Sequence, residues 1–495
     1  MFGVSNWLVA ATVVLATAVY GIFKVVYMRT RFRGLPQPPK HSWIWGHTTI
    51  WEELAATLPP FTHPQHVYTL MARKYDLPGV FYVDMWPFVE SQVVITDPDA
   101  ARLVLATTPY YPKHPTIERF LRPFTGPGSI AASNGDRWRY NHRMVGSGFS
   151  PSHVKPMAGM IAEQVLVFHD RLRRLAAAAE PFSMEEESAK TVFDVIGKIV
   201  FGVSLEAQRS GSPLLEDLRA SINPATTFIG TRNPWKRRAA EKSLRALRAR
   251  VRETLAGEMR ERLRVLQDEK ELPSRRQAKS VLDRIHDAHF PPDLSATAEL
   301  LAADPTKTNA MSYTNAVLKE TLRFFPIGFT IRQAPPGVTH LDWAGRRWPV
   351  ADLMVVPCAH ATHMDPKVWG PDAGSFRPDR FLDDEAGRGE GEGEGKGDGA
   401  GGEEEGTRHR FAWRPFERGP RACIAQDLAM DELRIMLVLT ARWFDFETVV
   451  EGTTRRVEYM DLDQKVGDLA FQMVGMEARP RHDMRMKVHL REEAA

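Results

Sequence analysis

From Trp7 to Met28 the sequence is almost unbroken apolar, interrupted only by Lys24, and Arg29-Thr30-Arg31-Phe32-Arg33 comes directly after. About twenty apolar residues span the hydrocarbon core of a bilayer, and clustered arginines stay on the cytoplasmic side. Residues 1–33 are therefore expected to form an uncleaved anchor. Ala16-Thr17-Ala18 would suit a cleaved signal peptide, yet no basic residue precedes the apolar run and the run continues past Ala18. Gly34-Leu35-Pro36-Gln37-Pro38-Pro39 predicts a stiff hinge that separates the anchor from a body of residues 34–495, because proline locks the chain extended.

Within the body the apolar period switches repeatedly. A helix is expected from His66 to Tyr75, then short strands at Val80–Val83 and Val93–Ile95. Asp97-Pro98-Asp99 opens a helix from Ala100 to Ala106. Trp138 begins a basic helix that ends at Phe149, and another covers Lys190–Phe201. Ala239–Gln267 is helical but dense in Arg and Glu, which marks a surface helix. After a break at Asp304-Pro305, Tyr313–Phe325 reads as a strong amphipathic helix. Leu318, Leu322 and Phe325 share one face, while Glu320 and Arg323, three apart, share the other. A small sheet is expected around Trp348–Val356.

Composition narrows the class. With 495 residues, 43% hydrophobic and 26% charged, the chain is globular. A net charge of +3 gives no argument for nucleic acid. Two cysteines cannot build a disulfide framework, which suits a reducing compartment. One of them, Cys358, reads as a packed thiol in the small sheet.

The other carries the chemistry. In Pro415-Phe416-Glu417-Arg418-Gly419-Pro420-Arg421-Ala422-Cys423-Ile424-Ala425, Cys423 stands after a Gly-Pro turn and precedes an apolar helix running to about Thr440. Flanking arginines and the positive end of that helix favour the thiolate, which acts as a nucleophile or a soft metal ligand. Phe-x-x-Gly-x-Arg-x-Cys-x-Ala closely resembles the haem-ligand loop of the cytochrome P450 family, with Ala425 in place of that loop's final glycine.

The resemblance implies a mainly α fold with small β-sheets, haem lying between the cysteine-loop helix and a distal helix. It implies Cys423 as axial thiolate, Phe416 shielding the sulfur, Gly419 allowing close backbone approach to the porphyrin, and Arg421 on a haem propionate. Arg332 matches the family's propionate-binding arginine. Trp138 resembles the tryptophan of the family's propionate-binding helix, where an arginine four residues on is usual; here that position is His142 and Arg143 comes one later. Glu320-Thr321-Leu322-Arg323 together with Phe376-Arg377-Pro378-Asp379-Arg380-Phe381 resembles a buried charge triad of Glu320, Arg323 and Arg380. Such a triad holds core geometry; it does not catalyse. Pro112–Phe124 resembles the substrate-facing loop.

Two stretches depart from the family. Its longest helix, which crosses over haem and carries a proton-delivering threonine, is missing. Counting back from Glu320 leads to Thr254–Asp268, where Leu255-Ala256-Gly257-Glu258-Met259-Arg260-Glu261-Arg262 is too charged to lie buried and lacks the threonine. Ser280–His289 resembles the approach to that helix and Leu300–Asn309 the segment after it, joined only by Phe290–Thr297. Several tens of residues are absent. The second departure is an acidic Gly/Glu insertion at 387–406, low in complexity from Arg388 to Gly406 and expected to be disordered. Just after it, Arg408, His409, Arg410, Arg414 and Arg418 form a patch suited to an acidic electron donor.

The resemblance implies a haem enzyme of the endoplasmic reticulum membrane with its body in the cytoplasm. It would take electrons from an NADPH-dependent reductase and insert one oxygen atom from O₂ into an apolar small molecule, in the manner of fungal secondary metabolism. Without the threonine, a haem-thiolate isomerase or dehydratase that uses no O₂ is a second reading, and an inactive truncated product a third.

Overall fold

The strand Gln92–Ile95 is buried along its whole length, which its position in the middle of a sheet requires. Val80–Val83 pairs with it antiparallel, Val80 opposite Ile95, and Met354–Pro357 pairs with its other edge in parallel, Gln92 opposite Met354. The one polar side chain there, Gln92, accepts a hydrogen bond from the Tyr68 hydroxyl. This computed structural model describes residues 2–201, 205–231, 233–268, 293–382, 411–449, 457, 459–460, 471–474 and 478–491. The acidic insertion, Arg408, His409, Arg410 and Ser280–His289 lie outside them.

Helices make most of the body. Ala158–Ala178 packs against Met184–Phe201, Leu294–Ala303 and the post-cysteine helix Gln426–Thr440. Ile161, Val165, Leu301, Ile435 and Leu439 meet at the centre, none of them accessible to solvent. Strand Arg485–Leu490 lies between Phe182–Ser183 and Phe444–Thr448 in a second sheet. The strongly charged helix Pro234–Asp268 lies on the surface, where residues 251–258 are exposed or half-buried.

Two expectations need correction. The stretch Trp348–Val356 does not form one sheet: Arg346–Pro349 makes a hairpin with His340–Trp343, whereas Met354–Pro357 belongs with Gln92–Ile95. A turn through Asp352, in the left-handed region at φ 55, separates them. The ion-pair helix, observed at Ser312–Phe324, buries Glu320 and Arg323 fully, as the expected triad requires. Finally, Gly34–Pro39 is no spacer. Helix Phe2–Thr30 keeps its apolar stretch free of the body, but Arg29 and Phe32 are buried in the body, and Pro36 O accepts a hydrogen bond from Tyr82 N.

Candidate functional site

The cysteine loop is a closed turn. Cys423 N donates to Phe416 O at 2.9 Å, and a short 3₁₀ turn, Gly419–Arg421, lies inside it. Cys423 is exposed and stands three residues before the helix Gln426–Thr440. The Phe416 ring packs with Leu318, Leu322 and Met430. Gly419 has φ +76, and a Cβ there would stand 2.4 Å from Leu105 O. The close approach that requires glycine is thus made, among the described residues, to the end of helix Pro98–Leu105.

Around the loop the chain assembles an imbalance of charge. Lys113 and Arg332 are bridge partners on neighbouring segments, and Arg332 is bridged on its other side to Val355. Bridge partners carry their side chains on one face, and both reach Glu417: Arg332 through a close ion pair, Lys113 with Nζ 3.9 Å from Oε2. Arg421 is buried beside them, stacked 4.6 Å over the Trp138 ring, with long contacts to Asn134 Oδ1 at 3.3 Å and Ile130 O at 3.4 Å. His142 packs against the other partner of this stack, its ring 4.9 Å from that of Trp138.

Among the described residues, the cations of Lys113, Arg332 and Arg421 therefore gather at one carboxylate, Glu417. Burial pushes the Lys113 ammonium down to about 7, against the attraction of Glu417. Burial also lowers the Arg421 guanidinium to about 10, and repulsion from Arg332 adds to that. Burial opposes the charge of Glu417, yet Arg332 and Lys113 hold its carboxyl below the usual range. Arg332 Nε is buried with no hydrogen-bond partner among the described residues. An uncompensated cluster of this kind fits a ligand that brings two carboxylates, as the two propionates of haem would. Sequence patterns single out neither Lys113 nor Asn134. Glu417 alone leaves a trace there, as an acid among the arginines of the cysteine loop.

Behind the loop, Glu320 binds two arginines. Arg323 Nε and Nη2 donate to its two oxygens at 2.7 and 2.8 Å, and Arg380 Nε donates at 3.1 Å. The arrangement is larger than three residues. Arg377 N donates to Glu320 at 2.8 Å, and Arg323 Nη1 donates to His363 O and Ala373 O at 2.6 and 2.7 Å. Asp372 Oδ2 approaches Arg380 at 3.4 Å. Backbone carbonyls share the second positive charge, which sequence spacing does not reveal.

The basic patch expected after the insertion is reduced by the fold. Arg414 is buried, donating to Pro357 O at 3.0 Å and Thr362 Oγ1 at 2.8 Å, and Arg418 donates to Trp413 O. Pro112–Phe124 is also divided: Lys113 belongs to the charge cluster, and Pro115–Thr125 is a helix capped by His114. Cys358 is fully buried, and burial pushes its thiol up to about 11.

Known proteins are similar to this chain in sequence and in fold. Residues 36–289 and 304–462 match the family model described as Cytochrome P450. The chain is 29% identical to Cytochrome P450 monooxygenase acrF of Aspergillus aculeatus, over 88% of this chain and 99% of that one. It is 26% identical to Cytochrome P450 monooxygenase polC of Polytolypa hystricis, over 97% and 94% of the two chains. A crystal structure of the cytochrome P450DA heme domain matches in fold with a TM-score of 0.61 at 18% identity, over 93% of this chain and 98% of that one. The alignment with acrF covers 496 positions, whereas 88% of 495 residues is about 436, so about sixty positions have no counterpart here.

Proposed function

The chain belongs to the cytochrome P450 family, and from that premise we propose that it is a membrane-anchored haem-thiolate monooxygenase. It inserts one oxygen atom of O₂ into an apolar organic substrate, using NADPH-derived electrons passed on by a reductase. Haem, the cofactor of the family, supplies the oxygen-activating chemistry when bound.

The observation that carries this reading is the charge imbalance at the cysteine loop, where Lys113, Arg332 and Arg421 face Glu417. In this reading Cys423 would supply the thiolate ligand that holds the haem. Lys113, Arg332 and Arg421 hold the propionates, while Trp138 and His142 position Arg421 from the side. Phe416 and Gly419 keep the loop closed, and Glu320, Arg323 and Arg380 hold the segments behind it. The helix Phe2–Thr30 is read as a single anchor in the endoplasmic reticulum membrane with the body, residues 34–495, on the cytoplasmic side, as the arginines at its end favour. Relatives named as monooxygenases from Aspergillus and Polytolypa support a monooxygenase of fungal type, in keeping with the role in secondary metabolism that the resemblance implies.

A second reading keeps haem but not O₂ activation, as an isomerase or dehydratase. It is favoured by the solvated, charged helix at the place counted for the distal wall, where Thr254 donates to Arg250 O of its own helix. The reduced, carbon monoxide-treated chain tests the haem assignment. A red-shifted thiolate band that disappears in Cys423→Ala is expected, and an unchanged band in that variant sinks Cys423 as ligand. NADPH consumption with a reductase and an apolar substrate then separates the oxygenase from the isomerase. A chain that takes up no haem would be an inactive product.

A further inference from the structure

Glu417 stands in the cysteine loop with its backbone in the left-handed region, φ 63, and its N–H donates to Arg414 O at 3.1 Å. Glycine takes that conformation freely, whereas a side chain is kept there against strain. This side chain has work at its far end. Its Oε2 forms a close ion pair with Arg332 Nη2 and lies 3.9 Å from Lys113 Nζ. A single carboxylate oxygen therefore joins two cations that would otherwise repel each other.

The rest of the cluster is fixed by neutral groups. Arg332 exchanges backbone hydrogen bonds of 2.7 and 2.9 Å with Val355, and its Nη1 donates to Tyr111 O at 3.2 Å. Lys113 is clamped by the Asn134 carboxamide: Oδ1 accepts from Lys113 N and Nδ2 donates to Lys113 O, both at 2.9 Å. The same Oδ1 accepts from Arg421 Nη1 at 3.3 Å, so Asn134 sets the spacing of Lys113 and Arg421. Lys113 Nζ also donates to Thr330 Oγ1 at 2.6 Å. Tyr111, Asn134 and Thr330 bring no charge. The charge that answers Lys113 and Arg332 comes from Glu417, on which buried Arg414 adds a further attraction. With Lys113, Arg332 and Arg421 set against Glu417, two positive charges are left over, the number that a dicarboxylate neutralises.

Resting on the haem reading above, we propose that Glu417 is a positioning residue for the porphyrin carboxylates: it holds the Lys113 ammonium and the Arg332 guanidinium side by side and charged, and so makes the cluster a receptor for a dianion. Its part is exerted through those two cations. The charged groups facing Lys113 are Glu417, which favours its charge, and Arg332 and Arg421, which oppose it. Without the Glu417 carboxylate, burial and the two guanidiniums strip Lys113 of its proton. Glutamine at 417 keeps the shape and loses the charge, while aspartate keeps the charge.

The test measures binding of iron-free protoporphyrin IX to the full chain, purified without haem, by quenching of tryptophan fluorescence from pH about 6 to about 9. Leaving out iron removes ligation by Cys423 from the measurement. Protoporphyrin dimethyl ester, which has no carboxylate, is the reference. The wild type is expected to prefer the diacid, with an affinity that falls as pH rises past about 7, where Lys113 loses its proton. In Glu417→Gln that preference should shrink about tenfold at neutral pH, as for one lost charge-assisted hydrogen bond. The fall should also begin at lower pH, and Glu417→Asp should restore both. A residue that merely braced the loop would weaken binding equally at every pH.

Lys113→Met leaves the Glu417–Arg332 pair in place and supplies a second measure, even where Glu417→Gln folds poorly. It is expected to abolish the fall past pH 7, and a fall that persists overturns the proposal. Tighter diacid binding by Glu417→Gln would make Glu417 a competitor of the porphyrin and also overturns it. A preference for the diacid that Glu417→Gln leaves unmoved removes the role of Glu417 alone. A wild type that binds diacid and diester equally removes the propionate clamp of the haem reading, and this proposal with it.

Discussion

Lys113 and Arg332 are partners in an antiparallel bridge, and both direct their charge at the carboxylate of Glu417. Neither residue is near the other in sequence, and neither is near Cys423. The pairing concentrates positive charge at one edge of the cysteine loop, and that concentration makes the loop a receptor for an anionic group.

Lys113→Met should lower the haem retained per chain while leaving the fold intact, measured as haem absorbance per protein after desalting. In the haem-free chain the same substitution has a pH signature. The folded value of about 7 lies below the ordinary 10.5, so the unfolded chain binds more protons between them. Stability of the wild type relative to the variant should therefore rise as pH increases from about 7 towards 10.5. Melting curves across this range that run parallel would show that Lys113 is not desolvated.

Glu320→Ala removes the acceptor of two buried arginines and should cost about 3–5 kcal/mol, as breaking a buried pair does. A fall in the urea midpoint measures it. Because Arg377 N and the carbonyls of His363 and Ala373 belong to the same network, Arg380→Ala should cost less than Glu320→Ala. Equal losses would argue against this ordering.

Glu432 predicts a stabilising substitution. It is buried in the post-cysteine helix, and its Oε1 has no hydrogen-bond partner among the described residues. Burial pushes its carboxyl up to about 8 from the ordinary 4.5. The folded chain thus keeps a proton that the unfolded chain loses, so its stability is full below about 4.5 and declines as pH rises towards 8. Glu432→Gln should flatten that decline and stabilise the chain by roughly 2–3 kcal/mol at neutral pH. Identical melting of the two proteins at pH 5 and pH 8 would rule the effect out.

Gly419→Ala should cost about 1–3 kcal/mol through a strained left-handed backbone and a Cβ pressed against Leu105 O. Since the clash is with helix Pro98–Leu105, the haem-free chain should be destabilised too. A loss confined to the haem-loaded protein would place the critical contact on the cofactor side.

Local rules made much of this protein legible before folding. The apolar run before Arg29, the cap at Asp97, the alternation of strand and turn, and the spacing of the cysteine loop each depend on residues within a few positions of one another. So does the i,i+3 relation of Glu320 and Arg323. The structure places helices at Phe2–Thr30, Pro98–Leu105 and Ser312–Phe324, within a few residues of where the pattern set them.

The tertiary structure alone decided where charges meet. Arg29 looked like the start of a cytoplasmic flank and is instead bound by Asp84, Trp43, Ile44 and Trp86. Arg414 looked like part of a surface patch and is buried against Pro357 and Thr362. Lys113 gave no signal at all until its bridge to Arg332 formed. Hydrophobic period reports which face of an element is apolar, because that is a property of neighbours along the chain. Whether a cation is solvated, paired or left over depends on groups tens to hundreds of residues away, and only the folded chain brings them within a few ångströms.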